Sequence, residues 1–154
     1  MRRKDKEITD RKIIEEIISK SIVCRVAMFD EEYPYILPFN YGYHQNALYI
    51  HSALKGKKLD LIKKNNKVAF VIELPYEIIT GEKSCDWTTK YKSVVGFGKI
   101  EILTSEEEKR NGLDIIMAQH GKSEGNNYSD KSIIPMLILK LTIESVTGKQ
   151  SGEF

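Results

Sequence analysis

The 154-residue chain is 41% apolar and 30% charged with a formal net charge of +2. That balance suits one soluble domain with its own hydrophobic core, and it is too weakly basic to call for nucleic acid. Cys24 and Cys85 stand far apart, with no Cys-x-x-Cys and no His/Cys cluster at ligand spacing, so no disulfide framework or metal site is expected and both read as buried thiols.

The basic start, Arg2-Arg3-Lys4 with Lys6, leads into no apolar run of the length a signal peptide or membrane span needs. Residues 1–8 therefore read as a frayed tail, and residues 1–154 as a single cytoplasmic domain. From Asp10 to Lys20, Ile13, Ile14, Ile17 and Ile18 form one stripe of a short helix, with Thr9 or Asp10 placed to cap it. Three strand-like runs follow, Ile22 to Phe29, Tyr35 to Tyr43 and Ala47 to Ser52, separated by Asp30-Glu31-Glu32 and a His44-Gln45-Asn46 turn; they predict an antiparallel meander. Lys57 to Lys64 is the second helix. Val68 to Glu73 is an apolar strand halted by Leu74-Pro75, with a weaker extension from Glu77 to Thr80.

After a loop holding Trp87, Ser93 to Leu103 alternates as a strand whose Gly96 and Gly98 invite a bend or a close backbone approach. Ser105-Glu106-Glu107-Glu108 is a capping box opening a third helix that runs to about His120. Met136 to Val146 is the last strand, ending in Thr147-Gly148-Lys149. Six strands in mainly local antiparallel order with three short helices favour a barrel or sandwich over a parallel doubly wound sheet.

The most informative stretch is Leu48 to Leu59. An apolar strand ends in His51-Ser52-Ala53, and Gly56-Lys57-Lys58 then opens an amphipathic helix. Unpaired N–H groups, the positive end of the helix dipole and two ammonium groups converge there, which suits a phosphate, although lysines in a first helical turn are also often merely solvated. The spacing is not that of a P-loop, and Gly96-x-Gly98 is no dinucleotide fingerprint, because Glu101 stands at the third glycine and the segment is strand.

The blocks Pro34 to Tyr43, Ile50-His51-Ser52-Ala53 with Gly56-Lys57-Lys58-Leu59, Cys85-Asp86-Trp87 with Tyr91 to Ile100, and Thr147-Gly148-Lys149 occur in a telling order. Together they resemble the flavin-binding split-barrel superfamily of pyridoxamine 5′-phosphate oxidase, in particular its nitroimidazole-resistance (Nim) branch. The resemblance implies a mainly β (α+β) fold, a six-stranded antiparallel split β-barrel with three short flanking helices. It also implies FMN as cofactor.

By position, the resemblance puts His51, Ser52 and Ala53 at the strand end that meets the ribityl phosphate, and Lys57 and Lys58 at the family's phosphate-binding basic pair. Leu37, Pro38, Phe39, Asn40 and Tyr41 would lie along the isoalloxazine ring, with Ser93 at a further flavin contact. The flavin would lie between two subunits of a homodimer, so that Val146, Thr147 and Lys149 approach it from the partner chain. His51 is the catalytic candidate, or else a strand-end histidine bonded to a carbonyl. His120 reads as core or interface and His44 as a turn residue, while Trp87 and Tyr91 suit a substrate face or a subunit interface equally.

The implied activity is that of a Nim-type FMN-dependent oxidoreductase reducing a small aromatic or nitroaromatic acceptor, with NAD(P)H as one candidate reductant. Two alternatives stay open. One is pyridoxamine phosphate oxidation, weakened by a C-terminus in which Lys149 stands almost alone; the other is a non-catalytic flavin or haem module, with His51 or His120 as a haem ligand.

Overall fold

Part of the stretch expected to fray forms regular structure in the computed structural model, which describes residues 3–152. Met1 and Arg2 lie outside the described residues. Lys4–Lys6 makes a 3₁₀ turn, and Glu7–Ile8 forms a short strand, β1, paired antiparallel with Lys149 and Gly148. The reason is packing. Ile8 is 5% exposed, and it sits where a side chain on Gly148 would stand, 2.8 Å from where that Cβ would be.

Helix α1 (Arg11–Lys20) begins at Asp10, whose carboxylate accepts the Lys12 N–H at 2.8 Å, as its capping position predicts. Its Ile14, Ile17 and Ile18 are buried, each worth about 1.5–3 kcal/mol of transfer free energy. Strands β2 (Val23–Met28) and β3 (Tyr35–Asn40) pair as a hairpin. The expected meander then breaks at Tyr41. Its ring turns into the core with no exposure, and its hydroxyl donates to the Ile18 carbonyl at 2.5 Å.

Beyond Tyr41 the chain forms a separate short strand, β4 (Gly42–His44), which pairs with β5 (Ala47–Ala53) across Gln45 and Asn46, both at positive φ as a tight hairpin turn requires. Helix α2 (Lys57–Lys64) follows and buries Leu59, Leu61 and Ile62. Next come β6 (Lys67–Glu73), β7 (Glu77–Ile79), β8 (Thr88–Leu103), α3 (Glu106–Gln119), the one-turn α4 (Asp130–Ile133) and β9 (Met136–Ser151). The capping box at Ser105 and Glu108 forms as its sequence predicts.

Among the described residues the architecture is thus a mainly β antiparallel sheet of nine strands with four α-helices, rather than six strands and three helices. The differences are local: β1 is the former tail, β7 is a short outlier on β8, and Tyr41 divides one predicted strand into two. The main path runs β3-β2-β6-β8-β9-β5-β4. β3 and β4 are consecutive in the chain yet lie at its two ends, so the curled sheet is open between them.

Strands β8 and β9 extend well past their predicted ends and bend together at an irregularity between Phe97 and Gly98. The glycines there make room. A Cβ on Gly96 would come within 2.3 Å of the Phe70 ring, and one on Gly98 within 2.2 Å of the Thr142 carbonyl oxygen.

Candidate functional site

Alternation along β3 sorts its residues into two faces. Tyr35, Leu37 and Phe39 turn inward and pack against the main core, whereas Ile36, Pro38 and Asn40 are exposed on the outer face. β3 has β2 as its one strand partner among the described residues, so its other edge carries backbone donors and acceptors outside the ladder. Tyr41, deep in the core, can offer a ligand only its backbone.

Helix α2 begins at this opening. The Lys57 ammonium lies 5.1 Å from the centre of the Tyr35 ring and the Lys58 ammonium 5.9 Å from that of Phe39, so both lysines rest against the inner face of β3. Gly56 caps the helix at φ +136° with no side-chain hydrogen bond to the first turn, and a Cβ placed on it would meet nothing within 4 Å. An open approach, the Lys57 and Lys58 N–H groups, which make no hydrogen bond among the described residues, and two ammonium groups form a donor set suited to a phosphate. An anion already sits beside it: Asp30, at the end of β2, pairs with Lys57 at 2.6 Å. That contact holds the Asp30 carboxyl below the usual range, chiefly through the hydrogen bond from Lys57, and raises Lys57 by the same bond.

The end of β5 divides between the faces. Ser52 is buried at 2% exposure, its hydroxyl donating to the Ala53 carbonyl at 3.0 Å, while His51 and Ala53 are exposed. His51 stands opposite Ile138 of β9 and so shares the outer face, where Ile138 packs with Ala47, Tyr49 and Ile116 of α3. Its imidazole makes no hydrogen bond among the described residues, so the expected carbonyl-capping alternative is not seen.

The remaining predicted residues lie elsewhere in the same chain. Ser93 of β8 stands between Glu73 of β6 and Lys149 of β9 on the outer face, and it lines a cavity of about 700 Å³ with Arg25, Tyr76, Thr89 and Tyr91. Arg25 is ion-paired to Glu73 at 2.8 Å, and the Lys149 ammonium lies 5.9 Å from the Tyr91 ring centre. Thr147 is exposed on this face. Val146, opposite Gly96, turns inward against the core. Leu37 to Tyr41, Ser52, Ala53, Lys57 and Lys58 are therefore gathered around the opening, whereas Ser93, Thr147 and Lys149 form a second group on the outer sheet.

Several sequence expectations are corrected. Cys24 is buried, and burial pushes its thiol up to about 12, but Cys85 is exposed in the loop before β8, 3.5 Å from an Asp86 oxygen. His120 is no core residue: it is exposed at the end of α3, its Nδ1 against the Ile116 carbonyl at 2.8 Å. Trp87 is 55% exposed and donates to the Gly81 carbonyl, which suits a substrate face and a subunit interface alike and corrects neither. Asp30 is the residue the sequence reading missed. An acidic triplet between two strands looks like ordinary turn chemistry until the hairpin carries it to Lys57.

No helix of the described residues is long and apolar enough to cross a membrane, and they hold no His/Cys/Asp/Glu group able to bind a metal. No curated protein matches the chain. Among solved structures it is similar to a proposed 5-nitroimidazole antibiotic resistance protein from Bacteroides thetaiotaomicron, with 32% identity over 94% of this chain and 86% of that one and a TM-score of 0.83. It shares its fold with an FAD and haem binding protein from Mycobacterium smegmatis, at 20% identity, 97% and 75% coverage and a TM-score of 0.84. A flavocytochrome from Azotobacter vinelandii matches at 14% identity, 99% and 72% coverage and a TM-score of 0.84. The family model described as pyridoxamine 5′-phosphate oxidase matches residues 10–150, and the chain belongs to this pyridoxamine 5′-phosphate oxidase-like family.

Proposed function

We propose that this protein is an FMN-dependent oxidoreductase of the nitroimidazole-resistance type, reducing a small aromatic or nitroaromatic acceptor at a flavin site between two copies of the chain. The observation that carries this reading is the opening of the sheet, where the free edge of β3, the end of β5 and the lysine-bearing start of α2 converge. The family and the 32% identical relative supply the flavin and the nitro acceptor as the chemistry to test.

Bound FMN supplies the electron transfer itself. The chain's work is to hold and shelter it. Lys57 and Lys58 neutralise the phosphate as point charges, without the bidentate fork of arginine, and the first N–H groups of α2 donate to it. Ser52 and Ala53 line the strand end beside it. Along β3, backbone groups from Leu37 to Tyr41 would hold the polar edge of the ring, while Pro38 and Asn40 are exposed on the outer face of the strand. His51, on the outer face at the end of β5, would be the proton donor, with an imidazole that makes no hydrogen bond among the described residues.

A homodimer accounts for the second group of residues. Cross-strand rows place Ile36, Ala27, Ala69 and Phe97 side by side on the outer face, with Pro38, Arg25, Val71, Val95 and Thr147 in the next row, where Arg25 is the one charged member and is paired to Glu73. Ile36, Val95 and Phe97 are 58%, 41% and 57% exposed, an apolar surface on which a second copy can sit. Ser93, Thr147 and Lys149, with the backbone of Val146, would then reach the flavin held by the partner.

The test begins with the ligand released when the purified protein is denatured. FMN is expected; FAD or haem would overturn the cofactor assignment. Under anaerobic conditions the bound flavin should bleach with NAD(P)H and recover on addition of a nitroimidazole. Bleaching with no recovery would replace the reductase by a flavin carrier.

A further inference from the structure

The two lysines at the start of α2 are not equivalent. Lys58 has no carboxylate partner among the described residues, but the Lys57 ammonium is held at 2.6 Å by one oxygen of Asp30. The other Asp30 oxygen accepts the Glu31 N–H at 2.9 Å, so the turn itself orients the carboxylate. Glu31 in turn stands 3.6 Å from Lys64, two turns further along the same face of the helix. The acidic turn between β2 and β3 therefore lies along α2 and satisfies the very cation that a phosphate would use. An ammonium group can serve both anions only if carboxylate and phosphate share its hydrogens at close range, where their like charges repel.

We infer that Asp30 is a built-in competitor for the flavin phosphate, and that Lys57 must exchange Asp30 for phosphate when FMN binds. The inference rests on the FMN reading above and adds to it a residue that sets cofactor affinity without being a ligand. It also ties the cofactor to the fold. The turn that releases Lys57 begins β3, the strand along which the ring is proposed to lie.

Titrations of the full-length chain with FMN and with riboflavin, which lacks the phosphate, test this at one fixed low ionic strength. Asp30→Asn should bind FMN roughly fivefold more tightly, the scale of one partly exposed ion pair, while riboflavin affinity stays unchanged. In a Lys57→Ala background the effect of Asp30→Asn should vanish. Asp30→Ser gives the same expectation with a different turn residue. FMN affinity equal to or weaker than wild type in both Asp30 variants, with native circular dichroism, would overturn the competitor role and leave the phosphate site standing. If the wild-type protein does not prefer FMN to riboflavin, the phosphate site itself fails, and the competitor with it.

Discussion

Removing the lysine charges is the most direct perturbation of the site. Each charge-assisted contact to a phosphate is worth about tenfold to a hundredfold in affinity, so two independent contacts multiply to at least about a hundredfold. The Asp30 contact lowers that product to roughly thirtyfold or more and makes the two shares unequal. Lys58, without a carboxylate partner among the described residues, should contribute its full share, and Lys58→Ala should weaken FMN by roughly tenfold or more. Lys57 gives up Asp30 to reach the phosphate, so Lys57→Ala should cost only about three- to tenfold. Quenching of flavin fluorescence measures all three variants, with riboflavin as the control that neither lysine should affect. Both side chains lie at a helix start over the rings of Tyr35 and Phe39, so circular dichroism and melting should stay near native. An unchanged dissociation constant in a folded double variant would remove this pair from the phosphate site, and a larger loss from Lys57→Ala than from Lys58→Ala would refute the uneven division.

Further outcomes are expected. His51→Ala should remain folded and yellow while slowing reoxidation by a nitroaromatic acceptor by about 10²–10⁴ per bound flavin, the usual worth of a positioned proton donor; stopped-flow rates unaltered per flavin would end its catalytic assignment. Phe97→Glu puts a charge in the middle of the outer apolar face, so sedimentation should find monomers with reduced flavin content, and an intact dimer would exclude that face as the interface. Gly98→Ala drives a methyl against the Thr142 carbonyl and should destabilise by about 1–3 kcal/mol in urea unfolding, whereas a wild-type midpoint would contradict the close strand approach. Iodoacetamide at pH 8 should label Cys85 and spare Cys24 until the chain unfolds. Because burial raises the Cys24 thiol to about 12, its stabilising contribution is whole below the unfolded-state value and is lost as pH rises through the folded one; a Cys24→Ala variant should therefore lose less stability between pH 8 and 11 than wild type.

The helices were legible because their signals are local. Asp10 and Ser105 cap α1 and α3 where their side chains can reach the first turn, and the isoleucine stripe of α1 and the Lys57–Lys64 boundary of α2 follow from a period of 3.6 residues. The corner proposed to take a phosphate could be read as a cluster for the same reason. A strand end, a glycine and two lysines lie within a dozen residues, and no distant contact is needed to bring them together.

Tertiary structure alone decided what depends on residues far apart in sequence. Tyr41 reads as one more strand residue until the carbonyl of Ile18 is in place to receive its hydroxyl, and its burial divides the predicted strand and opens the sheet. Ile8 reads as part of a tail until Gly148 leaves room for it. His120 fits a helical stripe in sequence, yet it lies at the end of α3, where the core has already stopped. Asp30 looks like turn punctuation, and only the hairpin of β2 and β3 carries it to Lys57. Period and capping chemistry are written in neighbouring residues; which side chain fills a given space, and which charge meets which, is set by packing energies that exist only once distant segments come together.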